Sequence, residues 1–162
     1  RWAEAFLRPG RDRESWTDRT NAMARGMIQT APDEISMYWI HHYRHPSAGL
    51  RRGTLRLDGF VSINAGYNGG EMLTHPLVFA GKELVINYAT SAAGSVRAEL
   101  QDAEGHPLPG YSLEDCPEIY GDEIEHIVRW QGGSDVSALA GKPVRVRLVL
   151  QDADVYTLQF RP

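Results

Sequence analysis

From Leu84 to Phe160 the chain keeps returning to one pattern, apolar residues at every second position. Leu84, Ile86 and Tyr88 alternate with Val85 and Asn87, and Val96, Ala98 and Leu100 alternate with Arg97 and Glu99. Val144, Val146, Leu148 and Leu150 alternate with Arg145 and Arg147. Ile124, His126, Val128 and Trp130 share a face in the same way, and Tyr156, Leu158 and Phe160 form a closing run. A period of two sends successive side chains to opposite faces, so each run specifies a half-buried β-strand; an amphipathic helix would need a period near 3.6. Runs of this length, repeated, demand an all-β fold.

The punctuation agrees. Sixteen Gly and nine Pro are spread along the chain, the texture of many short strands joined by turns. Asp58-Gly59 reads as a turn between two short runs within residues 54–64, and a Gly-rich bend at Asn68-Gly69-Gly70 leads into Glu71–Phe79. Pro76 places that run at a sheet edge or a bulge. Ala89 to Gly94 is small and polar and reads as a connection; Asp102 to Gly110 reads as a turn segment. Ser134 to Leu139 suits a single helical turn capped by Ser134 or Asp135. About eight strands over residues 50–162 predict an antiparallel β-sandwich, jelly-roll-like in its strand spacing.

The first fifty residues have a different texture. Residues 8–25 are dense in charge around Trp16 and Asn21, Ile35–His41 is a strand candidate, and residues 43–49 form a loop. This divides the chain into an N-terminal segment, residues 1–57, with one or two strands, and a sandwich, residues 58–162. A chain of 162 residues buries enough apolar surface to fold without disulfides, and its single cysteine, Cys116, excludes an internal one. A net charge of −4 with both signs interspersed gives no footprint for nucleic acid or an anionic membrane. No apolar run approaches the roughly 18 residues of a spanning helix. The sequence opens on Arg1 rather than Met, which fits a processed chain or, the expectation carried here, a piece of a longer polypeptide.

Leu55-Arg-Leu-Asp-Gly-Phe-Val-Ser62 resembles the segment that leaves the last blade of five-bladed propeller proteins of the glycoside hydrolase family 32/43 type. Gly81–Tyr88, Ala93–Arg97, Gly121-Asp122 and Gly141–Arg147 are similar to phrases of the β-sandwich that follows that propeller. The resemblance implies that residues 1–57 end a propeller and that the remainder is its C-terminal sandwich. It also implies a weak lean towards a secreted or periplasmic setting. The family's catalytic acids lie in blades that a chain of this length cannot contain in full, so no catalytic residue is carried over.

Six residues stand out as candidates for binding. Trp16, Asp18, Arg19 and Asn21 bring an indole face, a carboxylate, a guanidinium and an amide together within six positions. That set suits a sugar ring, through stacking on its apolar face and paired hydrogen bonds to its hydroxyls; the bland alternative is an Asp–Arg pair fixing a loop over a packed Trp16. Tyr67 and Tyr120 sit beside glycines in loops and are the better stacking platforms, whereas Trp130 reads as core.

Other clusters carry less. His41, His42 and His45 could form a metal site only if His41 and His42, adjacent on a strand, faced the same way, which alternation opposes. The acids between Glu114 and Glu125 would suit a structural Ca²⁺, the one cofactor to weigh, although an acidic loop is more often simply solvated. Cys116 lies among acids that would raise its thiol pKa, which disfavours a nucleophile. The expected function is a non-catalytic sandwich module of a carbohydrate-active protein, which stabilises its parent or binds glycan. The alternatives are a hydrolase fragment that contacts substrate through residues 16–21, and a structural or protein-interaction domain. The expected partners are a polysaccharide or oligosaccharide, or the rest of a parent propeller.

Overall fold

Two strands of nineteen residues organise the larger part of the molecule. The computed structural model describes residues 5–16 and 21–162, and the chain divides into two units, Arg1–Leu57 and Asp58–Pro162.

In the second unit, β5 (Ile63–Ala65), β6 (Gly70–Leu73), β7 (Leu77–Val78), β8 (Glu83–Gln101), β9 (Asp122–Ile127) and β10 (Pro143–Arg161) form antiparallel ladders. The order is β5-β10-β8-β9, with β6 and β7 also laid along β10. β8 and β10 pair from Arg145↔Gln101 to Arg161↔Glu83, and the sheet curls into a half-barrel, an antiparallel all-β fold of the β-sandwich kind. The predicted alternation sets its core. Leu84, Ile86, Tyr88, Val96, Ala98 and Leu100 from β8 meet Val144, Val146, Leu148 and Leu150 from β10, all buried. Full burial of each large aliphatic side chain contributes about 1.5–3 kcal/mol, so this seam dominates the stability of the unit. Trp130 closes one side, buried, its Nε1 donating to the Ala98 carbonyl at 3.0 Å and its ring edge-on to Tyr111.

Ala89–Gly94 does not leave the sheet as a connection; it lies inside β8. The pairing steps from Gln151↔Ser95 to Ala153↔Thr90, so four residues, Ser91–Gly94, oppose the single residue Asp152. This is an extended β-bulge, and it lets two long strands bend together without breaking. Counted by halves, β8 and β10 act as four strands, which is why short-strand reading found so many. Asp58, with φ of 56°, does make a turn, and β5 after it runs along β10. The helical turn is a 3-10 turn at Ser137–Leu139, with Asp135 Oδ1 accepting from the Ser137 N–H at 2.8 Å.

Among its described residues the first unit forms a sheet of four strands rather than one or two. Its strands are β1 (Ala22–Met23), β2 (Ile28–Ala31), β3 (Glu34–His41) and β4 (Gly49–Arg56). β3 is central, with β4 on one side and β1 and β2 end to end on the other. The two extra strands are two and four residues long and almost wholly exposed, so they carry no apolar alternation to read. Ser36 is buried and accepts from Arg52 Nε at 2.8 Å, while Arg52 also pairs with Glu34 at 2.6 Å. The Trp39 ring lies across Gly53, where a Cβ would stand 2.6 Å from it. Among the described residues of this unit Met37 is the only buried hydrophobic; Ile28 and Leu50 are 61% and 70% exposed.

Candidate functional site

The face of β8 and β10 turned away from the core carries the chemistry. Arg147 and Glu99 are register partners on it, and Val149 pairs with Glu71 on one side and Arg97 on the other. Glu99 is 2% exposed, an unusual place for a carboxylate. It is fully engaged: Gln101 Nε2 donates to Oε1 at 2.7 Å, Arg147 Nη1 donates at 3.4 Å, and the Leu113 N–H donates to Oε2 at 3.2 Å. Arg147 reaches the other way through Nε and Nη2, at 3.1 and 2.7 Å, to Glu71 Oε2. Hydrogen bonding to Glu71 raises the guanidinium pKa still further above its ordinary range. A buried anion thus fixes a cation, and the cation fixes an exposed carboxylate at the surface.

Beside this chain of charges lies an open groove lined by Tyr67, the stretch from Asn68 to Glu71, Leu113, Arg147 and β10 as far as Gln151. Tyr67 is 72% exposed, in a turn closed by the Gly69 N–H donating to the Gly66 carbonyl at 2.9 Å. A second open groove, lined by Ala92–Ser95, Glu118, Tyr120 and again Gln151, lies beyond β10. Tyr120 is 75% exposed. Its backbone is pinned at two points: Ile119 bridges Val96 on β8, and the buried Tyr88 hydroxyl donates to the Tyr120 carbonyl at 2.9 Å.

Desolvation, with Glu123 nearby, pushes the Tyr88 phenol up to about 12. The unfolded chain ionises Tyr88 near pH 10 while the folded one keeps its proton, so the contribution is complete below pH 10 and lost as pH rises from 10 to 12. Unfolding free energy is therefore expected to fall across that window and to fall less in Tyr88→Phe. Urea melts from pH 9 to 11.5 check this, and identical profiles for the two proteins would contradict it.

The N-terminal candidates are distributed differently. Trp16 is 69% exposed, and its Nε1 donates to the Gly10 carbonyl at 2.7 Å, so one edge of the indole is used locally. Asn21 is half-buried with φ of 59°. Asp18 and Arg19 lie outside the described residues. Asp12 is part of a network: it caps the Arg13–Ser15 turn through Ser15, and its Oδ1 lies 2.9 Å from His42 Nε2. The Ser15 hydrogen bonds hold the Asp12 carboxyl below its ordinary range. His42 Nδ1 lies 3.0 Å from the Ser47 hydroxyl, which donates to Glu14. His41 and His42 meet edge-on at 4.3 Å. Among the described residues no three His, Cys, Asp or Glu side chains converge as a metal shell.

Most of the acidic stretch is occupied in structure: Asp115 caps Ser112, Glu123 meets His126, and Glu125 meets Arg161. Burial, rather than the neighbouring acids, raises the Cys116 thiol pKa, and the sulfur accepts from the Ala98 N–H at 3.3 Å. Glu71, Glu99, Arg147 and Gln151 were not among the sequence candidates. The available signal was Glu99 itself, a carboxylate set between Ala98 and Leu100 in an apolar run.

No protein-family model matches the chain, and no curated protein or solved structure matches it.

Proposed function

We propose that residues 58–162 are a non-catalytic β-sandwich module of a carbohydrate-active protein and hold glycan by aromatic stacking and hydroxyl hydrogen bonds. The observation that carries this reading is the pair of exposed rings, Tyr67 on a closed turn and Tyr120 on a loop bridged to β8, each backbone tied down. Exposed aromatics anchored on a rigid scaffold suit the apolar face of a pyranose, because little ordering entropy is lost on binding. The propeller-like lead into Asp58 is the reason for placing such a module in a glycoside-hydrolase-like parent. A glycan array probed with the 162-residue chain and with a Tyr67→Ala/Tyr120→Ala double variant tests it. Binding by the first and loss in the second is expected. An array with no positive glycan would instead favour a structural or protein-interaction domain.

A second reading is favoured by the sheet of the first unit, where Ile28, Ile40 and Leu50 stand exposed on the face that also carries Ser36 and Arg52. Exposed aliphatic side chains of this kind are what the last strands of a larger hydrolase domain would present to neighbouring strands. In that case substrate contacts would come from residues 16–21.

A further inference from the structure

We infer that Tyr67 and Tyr120 are the two ends of a single site, a strip across the outer face of the sheet that takes a short neutral oligosaccharide; this rests on the glycan-binding reading of the module. The register supplies the span. Gly70 pairs with Leu150, Leu150 with Val96, and Val96 with Ile119, so four chain segments lie in one row. Three inter-strand steps of about 4.8 Å place Gly70 and Ile119 roughly 14 Å apart along the sheet. Tyr67 stands in the turn that leads to Gly70, and Tyr120 directly follows Ile119. A single ring cannot touch both tyrosines, whereas a chain of a few sugars can.

Gln151 joins the two ends, because it lines both grooves. Its exposed amide offers a donor and an acceptor, as a row of hydroxyls requires. At the Tyr67 end the Arg147–Glu71 pair provides fixed donors beside a fixed acceptor, an arrangement matched to vicinal hydroxyls. Both grooves are open, so an interior stretch of a longer glycan can lie along them.

Charge selects the class. Glu71 and Glu118 line the strip and Glu99 lies beneath it, against the guanidinium groups of Arg147 and Arg97 on the same face. Carboxylates outnumber cations, and Arg147 is already shared between two of them. Arg97 lines neither groove, so a uronate or sulfated chain in the strip would meet Glu71 and Glu118 with no unshared guanidinium lining the grooves to receive it. A neutral glycan meets none.

The test is isothermal titration of the full chain with neutral cello-, xylo-, manno-, arabino- and fructo-oligosaccharides of increasing length, and with oligogalacturonate as the charged comparison. For at least one neutral series, affinity is expected to rise with length until both tyrosines are reached. Tyr67→Ala and Tyr120→Ala should each then weaken the longest ligand about tenfold, as loss of one stacked ring implies. Gln151→Ala should weaken it as well. Both rings are exposed, so unchanged thermal melts are expected to show that the variants fold. Neutral glycan binding that ignores ring substitution, that gains nothing from length, or that oligogalacturonate equals would overturn the single-strip inference alone. Absence of binding to every glycan, on the array as well as in solution, would overturn the module reading with it.

Discussion

Replacing Gly94 by alanine is expected to cost the second unit about 3 kcal/mol, at the upper end of the range for overpacked sites, and to lower its melting temperature by roughly 15 °C. The added Cβ would stand 2.3 Å from the Asp152 carbonyl oxygen and 2.8 Å from that of Gln151. Both obstacles are backbone, so no rotamer change relieves them. They also belong to the partner strand at the place where β8 and β10 bend together, and Asp152 is already held there at φ of 42°. Relief requires the long strands to part at the bulge, which loosens the pairing on both sides of it. Gly132→Ala is the control, since nothing lies within 4 Å of its Cβ position and the residue is exposed. That variant should stay within about 0.5 kcal/mol of the parent. Urea denaturation of the three proteins decides the matter; equal midpoints for Gly94→Ala and the parent would mean that the bulge is pliable.

The same bulge shows where sequence reading stops. Val96–Leu100 and Val144–Leu150 announce their strands because one face of each is the drier and burial enforces alternation, whereas Leu84–Tyr88, expected to be half-buried, is buried on both faces, with Val85 and Asn87 covered as well. Ser91–Gly94 opposes a single residue, so its own pattern carries no trace of the strand it continues, and it reads as a connection. Gly94 is small because a backbone passes over it, a fact about residue 152 that no local window contains. In the first unit β1 and β2 are visible only through their register with β3, since both lie exposed.

The candidate site was legible by halves. That Tyr67 and Tyr120 stand exposed was recognisable, because aromatic residues beside glycines in loops have little to pack against. Trp130 was recognisable as core because it ends an apolar face. The polar part was not, because Glu99, Arg147, Glu71 and Leu113 converge from four chain segments, and a charged residue at an alternate strand position reads simply as solvent-facing. Only the loop through Leu113 turns that exposed position into a buried one. Asp18 and Arg19 lie outside the described residues, and the network observed near them, built on Asp12 and His42, joins residues thirty apart that no local string connects.

Breaking the Glu99–Arg147 pair is expected to be costly and, more tellingly, unequal. Arg147→Met leaves Glu99, 2% exposed, as a buried carboxylate with only Gln101 and the Leu113 N–H for partners, and should cost about 3–5 kcal/mol. Glu99→Met leaves a guanidinium whose side chain is 32% exposed and still bonded to Glu71, so it can turn to water, and should cost about 2 kcal/mol. Glu71→Gln, on the exposed arm, should cost less than about 1 kcal/mol. In the double variant Glu99→Met/Arg147→Met neither charge is stranded, so its stability should approach that of Glu99→Met rather than the sum of the two losses. Additive losses in this cycle, read from urea melts, would mean that the two side chains act independently. Coupled losses would make Glu99 the positioning residue of the groove: it touches no ligand, and it sets where the Arg147–Glu71 pair stands beside Tyr67. A glycan titration on Glu99→Gln tests that role, because the amide keeps the size of the side chain but turns an NH2 toward one of the donors, Gln101, Arg147 or the Leu113 N–H, that the carboxylate receives. Affinity of the folded variant should then fall about five- to tenfold, in proportion to the roughly 1 kcal/mol of a loosened hydrogen-bonding pair, and unchanged affinity would leave Glu99 a purely structural residue.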